Sequence, residues 1–173
     1  MRGSGSTGLD WGPGMVTIRE TTLIRAPVER CFDLERSIDL HTKTAERTGE
    51  RAIGGVTSGL IGMDEEVTWS ARHLGITQTM TVRITEVDRP RYFRDRMVHG
   101  AFRFFEHEHM FVDLGDRTTQ MKDELRFAAP PPLLGIVIEP LLGNYLRKFL
   151  RERNRILKEV AESEEWRKYL PNS

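Results

Sequence analysis

LLGIVIEPLLGNYLRKFLRERNRILKEVAES, residues 133–163, is the stretch that decides the fold. Apolar residues recur in it three, four or seven positions apart, the spacing of one face of an α-helix. Because most of the stability of a helix comes from packing of its apolar face, so long a helix needs a surface to cover. The stripe consists of Ile138, Leu142, Leu146, Phe149, Ile156 and Val160, widened by Leu141, Tyr145, Leu150 and Leu157.

The charged residues of this segment are predicted to face water. Arginines and lysines predominate among them, so a touch on an anionic membrane surface is an alternative use of this face. A solvated face, partly offset by the neighbouring glutamates, is the simpler interpretation. The charged residues are Arg147, Lys148, Arg151, Glu152, Arg153, Arg155, Lys158 and Glu159.

Upstream of the helix, the pattern is mostly that of β-strands. Short turns join the strands, which makes them antiparallel neighbours, and alternation of apolar and charged residues leaves one face of the sheet wet. Two short helices, one around Val28–Leu34 and one capped by Ser37 or Asp39, follow the first strand. Strands are predicted at 16–25, 50–56, 65–74, 76–87, 92–98, 102–114 and 118–128.

A sheet of six to seven twisted strands curls, and the long helix laid across its concave face would close it. The sequence therefore predicts an α+β fold with a cavity between the curved antiparallel sheet and the C-terminal helix. The chain has 173 residues, which suits one domain. Residues 1–14 resemble an expression leader, 15–163 form the predicted domain, and 164–173 a C-terminal tail.

The amino-acid composition argues against several classes of function. The 26 basic residues balance the 26 acidic ones, so no basic field favours nucleic acid. No apolar run approaches the ~20 residues that a membrane span needs, so stable membrane insertion is not expected. Cys31 is the single cysteine, which favours a reducing compartment and a cytoplasmic location. A monomer or a homodimer is expected.

Several motifs, in this order of elements, carry a family resemblance. They are VTWSARH at 67–73, DRPRYFRD at 88–95, GAF at 100–102, EHEHMF at 106–111, and Asp123 before the proline run. The chain resembles the START / polyketide cyclase–dehydrase / pathogenesis-related allergen superfamily, and most closely the bacterial ligand-binding SRPBCC domains. The resemblance implies the helix-grip fold and binding of a lipid, hormone or polyketide in its cavity. In some members it implies cyclisation or dehydration of the ligand.

Polar residues stand on the inner face of three central strands. Keeping the apolar positions on one face sets Asp95 opposite His107 and His109 opposite Asp123, which predicts two cross-strand Asp–His pairs. A carboxylate beside an imidazole fixes its tautomer and raises its proton affinity. Such pairs can hold the strand register, contact a ligand or act as an acid or base, and these three roles stay open.

The sequence His107-Glu108-His109 also permits a metal site, with His73 as a third ligand. No carboxylate is clearly forced into that ligand shell, so we predict neither a metal nor a cofactor.

We predict a protein that binds a hydrophobic or amphipathic small molecule, lipid-like or polyketide-like, in the cavity. Two alternatives stay open: a cyclase/dehydratase-type enzyme with His107 or His109 as acid or base, and a regulatory protein with a vestigial cavity. Of these, the non-enzymatic binding protein is preferred, since apolar pockets with few polar groups are typical of ligand sites. The predicted ligand-binding residues are Trp69, His73, Met80, Phe93, Asp95, Met97, Phe105, His107, His109, Phe111, Asp123, Tyr145 and Phe149.

Overall fold

The structure, a computed structural model, describes residues 15–73, 75–129 and 135–170, without the side chains of residues 73 and 135–139. The predicted leader at 1–14 lies outside the described residues. The strands are β1 (Met15–Ile24), β2 (Arg51–Gly55), β3 (Glu66–His73), β4 (Ile76–Asp88), β5 (Tyr92–His99), β6 (Phe104–Asp113) and β7 (Thr119–Ala128). The α-helices are α1 (Val28–Glu35), α2 (Ile38–Thr44) and α3 (Gly135–Glu162).

The seven strands form one curved antiparallel sheet in the order β1-β7-β6-β5-β4-β3-β2. Strands β2 to β6 each pair with the next strand in the chain, whereas β1 pairs with β7. This is because α1 and α2 carry the chain from one edge of the sheet to the other. The α+β helix-grip architecture predicted from the sequence is confirmed.

Helix α3 packs on the concave face through the predicted apolar stripe. Leu150 packs with Ile18, Leu125 and Phe127 in one core cluster. Leu157 belongs to a second cluster, which also contains apolar side chains of α1. The helix runs through Pro140, which lies inside it. Within the described part of the chain, no helix is both long and apolar enough to cross a membrane.

The two short helices, α1 and α2, pack beside α3 on the concave side of the sheet. Of the two predicted caps, Ser37 caps α2, by accepting a hydrogen bond from the backbone N–H of Leu40 at 3.3 Å. Asp33 of α1 accepts from Arg89, in the turn between β4 and β5, at 2.6 Å and from Arg36 at 2.9 Å. The bond from Arg89 links the helix α1 to the sheet.

The segment after α3 is more than a tail. Residues 164–168 form a short 3₁₀-helix, and Trp166 and Leu170 are buried in the main core cluster. The guanidinium of Arg30 lies 4.2 Å above the Trp166 ring. Apolar residues that follow the predicted boundary at 163 therefore pack in the core of the domain.

Replacing Trp166 by alanine should lower the free energy of unfolding by about 3–5 kcal/mol, the usual cost of removing a buried aromatic side chain. Lys168→Ala, at an exposed position of the same 3₁₀-helix, is the control and should change it by less than about 0.5 kcal/mol. Urea unfolding followed by circular dichroism measures both. Equal effects of the two substitutions would contradict the packing of this segment.

Candidate functional site

A cluster of charged and polar side chains is buried where α1 and α3 meet the centre of the sheet. It draws Glu35 from α1, Asp95 from β5, His107 and His109 from β6, Asp123 from β7, and Arg153 and Asn154 from α3. His109 and Asp123 are each 1% exposed. Buried charges persist only when they are paired, so the contacts inside the cluster determine its chemistry.

The backbone register of the cluster is the predicted one, but the side-chain pairing differs. Asp95 lies opposite His107, and His109 lies opposite Asp123. However, Asp95 Oδ2 pairs with His109 Nε2 at 3.1 Å, and His107 Nε2 pairs with Asp123 Oδ1 at 3.1 Å. The predicted Asp95–His107 pair is therefore wrong. Imidazole rings are long enough to reach a diagonal neighbour on the next strand.

His109 is surrounded by carboxylates on both sides of its ring. Its Nδ1 lies 3.3 Å from Asp123 Oδ1, so the predicted contact between these two residues is present alongside the diagonal one. The same nitrogen lies 3.2 Å from Glu35 Oε1. The ring also stacks on Phe93, with centroids 4.1 Å apart. These contacts hold the orientation of the imidazole from every side.

Three members of the cluster, Glu35, Arg153 and Asn154, were missed from the sequence. Arg153 was predicted to face water, but it is 8% exposed and forms an ion pair with Glu35. Asn154 donates to Asp123 Oδ2 at 2.7 Å. The helical spacing could have identified Arg153 and Asn154, since both occupy positions of the apolar stripe, between Leu150 and Leu157.

The two histidines are driven to opposite protonation states. Burial lowers the pKa of His109, but the neighbouring carboxylates of Asp123, Asp95 and Glu35 outweigh burial and raise the pKa to about 10. Burial and the neighbouring charge of His109 together lower the pKa of His107. We therefore assign His109 as an imidazolium at neutral pH. We assign His107 as a neutral ring whose Nε2–H donates to Asp123, which leaves its Nδ1 as an acceptor.

The carboxylates of the cluster are held ionised. Burial alone would raise the pKa of Asp95, but the hydrogen bond from His109 and the nearby positive charges lower it. Burial acts in the same direction on Asp123, and hydrogen bonds from both histidines lower the pKa of that carboxyl. For Glu35, burial is opposed mainly by the charge of Arg153, which lowers the pKa.

A cavity of about 320 Å³ lies between α3 and the sheet, with the charged cluster at one end. A second polar pair, His41 Nε2 and Glu50 Oε1 at 2.8 Å, lines it as well, and the His41 ring stacks on Trp69 with centroids 4.0 Å apart. The rest of the wall is largely apolar and includes Ile61, Val67, Ala71, Val82, Ile84, Phe102, Leu125, Leu142, Leu146 and Leu150.

Most of the predicted ligand-binding residues line this cavity. Met97, Phe111 and Asp123 do not: Phe111 packs against Phe32, with ring centroids 5.5 Å apart, and Asp123 lies behind the histidines. The side chain of His73 lies outside the described residues. Those that line the cavity are Trp69, Met80, Phe93, Asp95, Phe105, His107, His109, Tyr145 and Phe149.

In metal-free buffer at about pH 7.5, ring ¹⁵N shifts should show His109 doubly protonated and His107 neutral. Because the folded pKa of His109 lies above the unfolded value near 6.5, its contribution to stability is complete below about pH 6.5 and is lost as the pH rises through 10. Urea unfolding across this interval should therefore show declining stability. The exposed His99 provides the reference resonance, and a neutral His109 at pH 7.5 would refute the assignment.

Comparison with solved structures agrees with this architecture. TTHA0849 from Thermus thermophilus superimposes with a TM-score of 0.69 at 17% identity, covering 83% of this chain and 95% of that one. A START superfamily protein from Mycobacterium smegmatis gives 0.63 at 14% identity, with 84% and 97% covered. Ara h 8.0201 gives 0.54 at 14% identity, with 83% and 99% covered. At these identities the likeness concerns the fold.

A search of curated proteins with this sequence found no match. A family model described as polyketide cyclase / dehydrase and lipid transport matches residues 15–162, nearly the whole of the described domain. This chain therefore belongs to the polyketide cyclase / dehydrase and lipid transport family.

Proposed function

We propose that the protein binds a hydrophobic or amphipathic small molecule in the cavity between α3 and the sheet. The observation that carries the proposal is the cavity itself, about 320 Å³ with a largely apolar wall and a charged cluster at one end. Small-molecule sites have volumes of about 300–1,000 Å³ and combine an apolar wall with a few convergent polar groups. The volume thus supports a binding site over a vestigial cavity. Family membership supports ligand binding in general terms.

The arrangement of the wall supports an amphipathic ligand. Phe102, Phe105 and Leu146 pack against the smaller apolar cluster, line the cavity and would bury the body of a ligand. Asp95, whose side chain is 15% exposed, and His107 line the cavity at its charged end and would orient a hydroxyl, carbonyl or amine. A cytoplasmic location and a monomeric or homodimeric state remain predictions.

Leu146→Trp should fill the apolar part of the cavity and weaken binding of the neutral fluorescent probe N-phenyl-1-naphthylamine by about tenfold or more, a loss of about 1.4 kcal/mol. Lys148→Trp, which places the same side chain at an exposed position of the same helix, should leave the affinity unchanged. Fluorescence titration measures both, and thermal melts verify folding. Unchanged probe affinity in folded Leu146→Trp would refute binding in this cavity.

A second candidate function, acid–base catalysis of the cyclase/dehydratase type, is favoured by the opposite protonation states of the two histidines. Residues with pKa values pushed apart by their surroundings suit the roles of acid and base. Neutral His107, with Nε2–H on Asp123, presents Nδ1 as a base toward a proton next to a ligand carbonyl. The imidazolium of His109 would stabilise the enolate.

If this chemistry operates, the protein should accelerate exchange of the protons next to the carbonyl of α-tetralone in D₂O, followed by NMR. His107→Gln should abolish the acceleration while N-phenyl-1-naphthylamine still binds, because glutamine keeps the polarity without the base. His99→Gln, outside the cavity, is the control. Acceleration that survives in His107→Gln would exclude His107 as the base.

A further inference from the structure

Three groups at the charged end of the cavity are arranged like the ligands of a metal ion. Asp95, His107 and His109 each offer one donor atom, and these atoms all lie within 4.8 Å of one another. All three residues line the cavity. No metal was predicted from the sequence because no carboxylate was clearly forced into the ligand shell of the His-X-His pair, and the structure places Asp95 Oδ2 3.1 Å from His109 Nε2.

On each histidine, the nitrogen turned away from the proposed ion lies close to a further carboxylate. Nε2 of His107 pairs with Asp123 Oδ1 at 3.1 Å, which leaves Nδ1 as a donor atom. Nδ1 of His109 lies between Glu35 Oε1 at 3.2 Å and Asp123 Oδ1 at 3.3 Å, which leaves Nε2. Histidine ligands of metals usually have such a carboxylate on the far nitrogen, because it fixes the ring and raises its basicity. Pairing of the strands in register would not by itself require a carboxylate beside the second nitrogen of each histidine.

The spacing of the donor atoms suits a metal of the zinc type. Two ligands about 2.0–2.1 Å from a tetrahedral zinc ion lie about 3.3 Å apart. His109 Nε2 and Asp95 Oδ2 are 3.1 Å apart, so an ion could replace the proton between them after a shift of a few tenths of an ångström.

The net negative charge of the buried cluster also favours binding of a cation. The carboxylates of Glu35, Asp95 and Asp123 face the guanidinium of Arg153 and the imidazolium of His109, so the buried cluster carries one excess negative charge. A divalent cation that replaces the proton on His109 would bring the net charge of the cluster to zero, and buried charge is costly when it is left uncompensated.

A second possible triad, formed by Glu35, His109 and Asp123, lies deeper. Asp123 does not line the cavity, and Glu35 already pairs with Arg153. Arg153 thus engages Glu35, and His107 and Asn154 engage Asp123, so we place these two carboxylates in the outer shell.

We propose that Asp95, His107 through Nδ1 and His109 through Nε2 bind one divalent first-row transition metal ion, with a further coordination position open to the cavity. Two imidazoles and a carboxylate with an open position are typical of sites where the metal polarises a ligand or activates a bound water. The metal would then bind the polar group of a cavity ligand. Metal binding does not depend on the proposed function, since it is measured without an organic ligand.

The test is equilibrium dialysis and calorimetry of chelator-treated protein with Zn²⁺. Wild type should bind one ion per chain. Asp95→Asn and His107→Gln should each weaken the affinity by at least about tenfold. His99→Gln, which removes an exposed imidazole at the end of β5, is the matched control and should bind as the wild type does.

Because substitutions in a buried cluster can impair folding, a measurement on wild type accompanies the variants. One equivalent of Co²⁺ should broaden the ring resonances of His107 and His109 and spare those of His99 and His41. Absence of stoichiometric Zn²⁺ binding, or Co²⁺ broadening centred on His41 or His99, would overturn the proposal. Probe binding by metal-free protein would leave the proposed ligand-binding function intact in that event.

Discussion

The ion pair between Arg153 of α3 and Glu35 of α1 is the contact on which the centre of the molecule depends. Its partners are 118 positions apart in the chain, and they join both helices to the sheet through His109. A buried charge that loses its partner costs about 3–5 kcal/mol, so the arrangement permits few other placements of α3. The same contact sets one end of the cavity.

From that contact the network continues through the sheet. Asp123 accepts from His107 on one side and Asn154 on the other, and His109 links Asp123 to Asp95. Donors and acceptors from α1, β5, β6, β7 and α3 thus meet in one buried group. Such networks rigidify a core when their members are satisfied, and here Glu35 Oε2, His109 Nδ1 and Asn154 Oδ1 have no hydrogen-bond partner among the described residues. Here the network also presents Asp95 and His107 to a cavity, which is why its chemistry bears on function.

The remainder of the molecule isolates this group from water. Phe93 stacks on His109, Trp69 stacks on His41, and the apolar stripe of α3 covers the concave face. Exclusion of water strengthens electrostatic interactions inside the cavity, which separates the pKa values of two neighbouring histidines. A ligand would therefore meet an apolar wall with a few fixed, strongly interacting polar groups.

The sequence by itself determined the strands, the long helix and the register that sets Asp95 opposite His107. Those features follow from periodicities of two and 3.6 residues, and a one-residue slip would turn an apolar face to water. Only the tertiary structure decided that Arg153 turns inward to Glu35, that Asp95 pairs with His109, and that about 320 Å³ is left open. These depend on distances between residues far apart in the chain, which sheet curvature and helix placement set and no local pattern records.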